Sequence, residues 1–149
     1  MRRCTITHRR GDYDVPGFGS VRRAGVMRPS KTLRDLRGRE FNVWARTRTS
    51  TVTDQSGTQL GMFRRNFWTR HGVLTWGQET YRFRVQMWSS RYRLEQIDGR
   101  ELVSIKLRAL GDGDLSTAED VDPVTVLFAV ALAMITRSYT GASAAAASS

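Results

Sequence analysis

The sequence predicts a mainly β domain: an antiparallel β-barrel of about 10–12 strands, a meander of hairpins enclosing a C-terminal hydrophobic α-helix. Three observations carry this expectation. Turn-forming glycines recur at nearly even spacing. The segments between them alternate apolar and polar residues. One segment near the C-terminus, Val124 to Ile135, is apolar on every side apart from Thr125.

The glycines are Gly38, Gly57, Gly77 and Gly99, separated by 19, 20 and 22 residues. Their settings match: Asp35-Leu-Arg-Gly-Arg-Glu-Phe41, Asp54-Gln-Ser-Gly-Thr-Gln-Leu60 and Ile97-Asp-Gly-Arg-Glu-Leu102, with Trp76-Gly-Gln-Glu-Thr-Tyr81 a weaker fourth copy. Asp-Gly and Ser-Gly pairs between alternating runs signal hairpin turns. Each unit therefore reads as strand, tight turn and return strand.

The strands show a period of two. Tyr81, Phe83, Val85 and Met87 oppose Thr80, Arg82, Arg84 and Gln86. Val103, Ile105 and Leu107 oppose Ser104, Lys106 and Arg108. Phe41, Val43 and Ala45 oppose Asn42, Trp44 and Arg46. One face of each strand is expected to be buried and the other wet. The four units account for about eight strands, and Phe18 to Met27 adds one or two more. Closing the sheet removes its two adhesive edges.

The helix is expected over about 122–137. Asp122 suits the N-cap and Pro123 the first helical position. Acids before the run and Arg137 after it complement the helix dipole. A bilayer span needs roughly 20 apolar residues, so this shorter run reads as a core helix rather than an anchor. A helix apolar all round must be buried all round, and the barrel lumen is the place for it. We expect one domain over 1–140, with an acidic linker from Gly111 to Asp120 leading to the barrel mouth. Gly141 to Ser149 is expected to be a disordered Ala/Ser tail.

At 149 residues the chain is long enough to bury a core. Its single cysteine, Cys4, excludes an internal disulfide and falls in a segment expected to fray. Met1 to Thr7 has no apolar signal stretch, so a cytoplasmic location is expected. Lys and Arg total 24 against 14 Asp and Glu, a net charge of +10, and only Lys31 and Lys106 are lysines. That balance favours anionic partners. An Arg-over-Lys bias also arises from base composition alone, and a positive surface follows either way.

Enzyme signatures are missing. His8 and His71 stand far apart, and no metal-ligand, nucleophile-elbow or phosphate-loop spacing occurs. Gly17-Phe-Gly19 lacks a third glycine and reads as a turn. The expectation is a non-enzyme without a cofactor, in which neither Cys4 nor His71 is catalytic.

The hairpin repeats, the segment Gly11-Asp-Tyr-Asp-Val-Pro-Gly17 and the terminal helix from Asp122 together resemble the tubby-like superfamily. That group includes the LURP-one-related proteins and the phospholipid scramblases. The resemblance spans Gly11 to Arg137 and implies an antiparallel barrel closed around a hydrophobic helix. It also implies a binding rather than a catalytic role, since tubby domains bind phosphoinositides and scramblases are associated with membranes and calcium. Scramblase-like relatives carry a proposed calcium segment just before the helix, where this chain has Asp112, Asp114 and Glu119. These are hard oxygen ligands of the kind calcium uses. The spacing is not that of an EF-hand, because Thr117 replaces the loop glycine and Ser116 a ligand. The alternative is a solvated loop whose last acids cap the helix.

The basic face is the stronger candidate site. Arg64, Arg65, Arg70 and His71 flank Phe67-Trp68 at a hairpin tip, while Arg82, Arg84, Arg91 and Arg93 lie on strands expected to pair around Ser89-Ser90. Arginine forks grip phosphate in bidentate fashion. Trp68 and Trp88 suit a lipid headgroup layer. We therefore expect an anionic phospholipid surface as partner, met peripherally by a monomer through Arg64, Arg65, Trp68, Arg70, Arg82 and Arg84. The same residues would suit nonspecific nucleic-acid contact by charge. Two other readings stand beside these: a protein-interaction scaffold, and a plain Arg-rich exterior with tryptophans packed inside.

Overall fold

A computed structural model describes residues 1–23, 31–46, 48–66, 68–109 and 111–148, with side chains described as far as Ser138. The described residues form twelve strands in one closed antiparallel barrel. The strands are β1 (Arg2–Arg9), β2 (Asp12–Val15), β3 (Gly19–Arg23), β4 (Lys31–Asp35), β5 (Glu40–Ala45) and β6 (Thr49–Thr53). There follow β7 (Gln59–Arg65), β8 (Gly72–Trp76), β9 (Glu79–Gln86), β10 (Arg91–Gln96), β11 (Glu101–Leu107) and β12 (Gly113–Thr117), then helix α1 (Pro123–Ser148). Each strand pairs with the next in sequence, and β1 closes the ring against β12 with Arg2 opposite Thr117 and Ile6 opposite Gly113.

Because every strand reverses direction, turns after even-numbered strands gather at one end and turns after odd-numbered strands at the other. The helix starts at the first of these, here the proximal end. The glycine repeat is one up-and-down strand pair long, so Gly38, Gly57, Gly77 and Gly99 all sit at the proximal end, each with positive φ. The preceding acids tie these turns. Asp35 Oδ1 accepts the amides of Arg37 and Arg39 at 3.0 and 2.9 Å, and Asp54 Oδ1 those of Ser56 and Thr58 at 2.9 and 3.0 Å. Bonding its own backbone in this way is why Asp favours turns.

The helix fills the lumen. Val124 to Thr136 are all buried, and Asp122 caps the start by accepting the Val124 amide at 2.9 Å. At the distal end Arg65 Nη2 donates to Thr136 Oγ1 at 2.7 Å, and Arg137 Nη2 to the Ala109 carbonyl at 3.2 Å. α1 runs to Ser148, past the expected end at 137 and through most of the segment expected to be a disordered tail. The added segment is rich in alanine, the residue with the highest helix propensity.

Three further expectations change. Cys4 lies within β1, paired with Leu115 of β12, rather than in a frayed terminus. The acidic linker contains the twelfth strand: Gly113, Leu115 and Thr117 face the core, while Asp114 and Ser116 face outward. Its period of two is short, and the surrounding acids hide it. Met87, counted with the core, leaves β9 for a 3-10 turn over Met87–Ser89 and is exposed. Of the segment Phe18 to Met27, β3 supplies one strand, and residues 24–27 lie outside the described ones.

Interior aromatics cross neighbouring strands over glycines. Phe63 on β7 meets Phe83 on β9 edge-to-face, at 5.4 Å and 78°, and Phe83 stacks on Tyr92 at 6.2 Å. Gly72 on β8 lies between them, and a Cβ there would stand 2.2 Å from the Phe63 ring and 2.5 Å from the Arg64 carbonyl oxygen. Phe63 is fully buried and the carbonyl belongs to the β7–β8 ladder, so neither can yield cheaply. Gly72→Ala is expected to destabilise by about 1–3 kcal/mol, the range for core overpacking. Thermal unfolding reads this directly, and an unchanged midpoint would contradict the packing.

Candidate functional site

The distal end gathers most of the loop arginines. Loops after odd-numbered strands bring Arg10, Arg46, Arg48, Arg70 and Arg108 there, with Arg64 and Arg65 at the end of β7 and Arg137 on α1. The proximal end instead carries Asp35, Asp54, Asp98, Glu119, Asp120 and Asp122, with Arg39 and Arg100 bound to Asp35 and Asp120. The barrel is thus electrically polar along its axis.

Two loops project tryptophan from the distal end. In the β7–β8 loop, Asn66 Oδ1 accepts the amides of Trp68 and Thr69 at 2.9 and 3.2 Å. The Asn66 amide donates to the His71 carbonyl at 2.7 Å, and Arg70 takes a left-handed conformation. These bonds tie the loop base and leave Trp68 87% exposed. Phe67 lies outside the described residues. The 3-10 turn between β9 and β10 leaves Trp88 88% exposed. Strands β8 and β9 pair, so the two tips are neighbours about two strand spacings apart, roughly 10 Å. Trp88, suited by type to a headgroup layer, stands outside the six ligand residues expected from the sequence. Its exposure follows from the turn geometry, which puts Met87 and Trp88 outside the alternation.

A cavity of about 660 Å³ opens beside Trp68, lined by Arg48, Thr49, Arg64, Arg65 and Asn66. Arg64 is exposed at its outer wall. Arg65, one of the expected anion ligands, also lines this cavity. It is half-buried, bonded to Thr136, with its guanidinium 5.5 Å from the centre of the Phe63 ring. Burial raises the Tyr92 phenol, while nearby Arg137 and Arg65 work in the opposite direction. Arg65 therefore also joins the barrel wall to the helix.

Arg82 and Arg84 are exposed on the outer wall of β9 rather than on the loops. Arg64, Val73 and Arg82 form one outward row across β7, β8 and β9. Arg84 pairs with Glu95 at 3.3 Å. His71 Nδ1 accepts the Val85 amide at 3.0 Å and so ties the loop to β9.

The calcium candidates are not brought together. Asp112 accepts the His8 amide at 2.9 Å, and Arg108 grips both oxygens of Asp114 at 2.8 and 2.7 Å. Glu119 follows β12 at the opposite end of the barrel. Among the described residues, no three His, Cys, Asp or Glu side chains are placed to hold a metal ion. Burial raises the Cys4 thiol, and Arg2 opposes that shift.

No family model, curated protein or solved structure matches the chain significantly. Among the described residues no helix is long and apolar enough to cross a membrane.

Asp35 supplies the clearest pH dependence. Burial works to raise its carboxyl, but hydrogen bonds from the Arg39 side chain and from the amides of Arg39 and Arg37 outweigh it and hold the group low. A carboxyl depressed in the folded state adds stability above its unfolded value, near 4, and loses it as pH falls through the folded value. Thermal midpoints measured from neutral pH down through the acid range are expected to fall below about pH 4. In Asp35→Asn that fall is expected to be shallower; an identical slope would assign the acid sensitivity elsewhere.

Proposed function

We propose that this chain is a non-enzymatic barrel of the tubby-like, LURP-one-related kind that docks peripherally, as a monomer in the cytoplasm, on anionic phospholipid surfaces. One observation carries the reading: two exposed tryptophans stand on neighbouring tips at the arginine-rich end of a charge-polarised barrel. Large exposed aromatics on a monomer mark contact surfaces. Tryptophan partitions to the headgroup layer, and basic residues nearby add about 1 kcal/mol each on an anionic leaflet. The acids at the opposite end orient the molecule by repulsion. The closed barrel with its lumen-filling helix supports the family part of the reading.

Co-sedimentation with neutral and anionic vesicles, at low and physiological salt, tests it. Binding to anionic vesicles is expected to survive physiological salt, because apolar insertion is not screened. Binding that disappears there would reduce the interaction to charge attraction and leave a protein-binding scaffold as the better reading.

A further inference from the structure

A second cationic site lies on the outer wall of the barrel, on strands rather than on the loops that carry the tryptophans. Across four neighbouring strands the register aligns Arg3, Ser116, Ser104 and Arg93 in one outward row. The next row aligns Thr5, Asp114, Lys106 and Arg91. Two serines at the centre, with long cationic side chains on either side, leave a trough of about 500 Å³. The outer strands of this face stand three spacings apart, roughly 14 Å, within reach of side chains leaning in from both sides.

The charge in this trough is unbalanced. Asp114 is gripped by Arg108. Among the described residues, Arg3, Arg91, Arg93 and Lys106 have no carboxylate within 4.0 Å. Arg93 lies directly opposite Arg84 on β9, a like-charge pairing that costs stability. Its Nε is buried and has no hydrogen-bond partner. Buried donors are normally satisfied, so the guanidinium at the edge of the trough keeps its full positive charge without a local acceptor at Nε. Ser116 Oγ donates only to the Met1 sulfur, at 3.4 Å, a weak contact that an oxyanion would replace.

We infer that the outer face of β10, β11, β12 and β1 binds a small phosphate-bearing ligand, with Arg3, Arg91 and Lys106 meeting its charge, Ser104 and Ser116 its oxygens, and Arg93 adding positive charge at the edge. Phosphate fits the donor set, since guanidinium forks and an ammonium match its several acceptor oxygens. The trough is larger than one phosphate group, so a phosphate ester or polyphosphate fills it better. The same group is found on soluble metabolites and on phosphomonoester lipids.

Calorimetric titration with pyrophosphate at physiological salt tests the site, with vesicles carrying phosphatidate or phosphatidylserine as the lipid arm. One saturable pyrophosphate site per chain is expected, weakened about tenfold or more in Arg91→Ala/Lys106→Ala. It should be unchanged in Arg34→Ala, whose side chain pairs with Glu40 on β5. Ser104→Leu, which fills the trough with an outward apolar group, should weaken binding similarly if the double variant does not fold. Trp68→Ala/Trp88→Ala should keep pyrophosphate binding, which separates this site from the tryptophan tips. Phosphatidate binding lost in Arg91→Ala/Lys106→Ala, without pyrophosphate binding, would support the site with a lipid as the phosphate source. Undiminished affinity in both trough variants, or no binding of either probe, overturns the inference.

Discussion

Phe128→Ala is expected to lower the unfolding free energy by about 3–5 kcal/mol, the range for truncating a buried phenylalanine. Phe128 is fully buried near the middle of the apolar run, its ring 6.0 Å from that of Trp76. The cost depends on how far the surroundings collapse into the space left behind. Here they collapse little. Twelve strands hydrogen-bonded in a ring set the lumen width, and the helix cannot shift toward one wall without leaving another. The effect should therefore lie in the upper part of the range, a drop in thermal midpoint of roughly 10 °C for a domain this size. Phe128→Leu keeps most of the volume and should cost less than about 1.5 kcal/mol. Thermal and denaturant unfolding of both variants measure the difference. A Phe128→Ala protein within about 1 kcal/mol of wild type would mean that the helix is not the filling of the barrel.

Trp68→Ala combined with Trp88→Ala is expected to abolish most vesicle binding while leaving the fold intact. A tryptophan presents about 150–250 Å² of surface, and full burial at about 25 cal/mol per Å² sets an upper bound of roughly 4–6 kcal/mol each. Partial insertion yielding about 1.4 kcal/mol per ring is a factor of ten, so the double variant should bind on the order of a hundredfold more weakly. Surface substitutions away from packing features change stability by less than about 0.5 kcal/mol, so the midpoint should stay in place. Arg64→Ala should weaken binding by a smaller factor that salt erases, because an exposed charge acts over a screened distance. Full binding by the double tryptophan variant would remove the lipid-insertion reading and leave electrostatics alone.

Local pattern made much of the architecture legible. The alternation in Tyr81 to Val85 and Val103 to Leu107 is the observed inside–outside alternation, and Asp122 caps the helix as its position before Pro123 predicts. The misread elements are those where local signals conflict. Gly113 to Thr117 alternates for only five residues amid acids, so its strand character rests on partners at both sides, β1 and β11. Met87 continues the apolar rhythm, but the 3-10 turn takes it out of the strand. Arg65 follows Arg64 in sequence, yet alternation turns one outward and the other toward Thr136.

The candidate site was legible in its residue types but not in its grouping. An exposed tryptophan and a core tryptophan look alike in a sequence. Trp76 packs against the core while Trp68 and Trp88 face solvent, and only the positions of strand ends distinguish them. The same holds for Asp112 and Asp114, which the barrel separates from Glu119 by its full height.

By itself the sequence determined the strand rhythm, the turns at one end, the apolar helix and the net charge, because each depends on residues close together in the chain. Only the tertiary structure decided that β1 meets β12, that charge is divided between the two ends, and that Arg3, Ser116, Ser104 and Arg93 share one row. Those features depend on strand order and register between distant segments, and hydrogen bonding across a closed ring sets both at once.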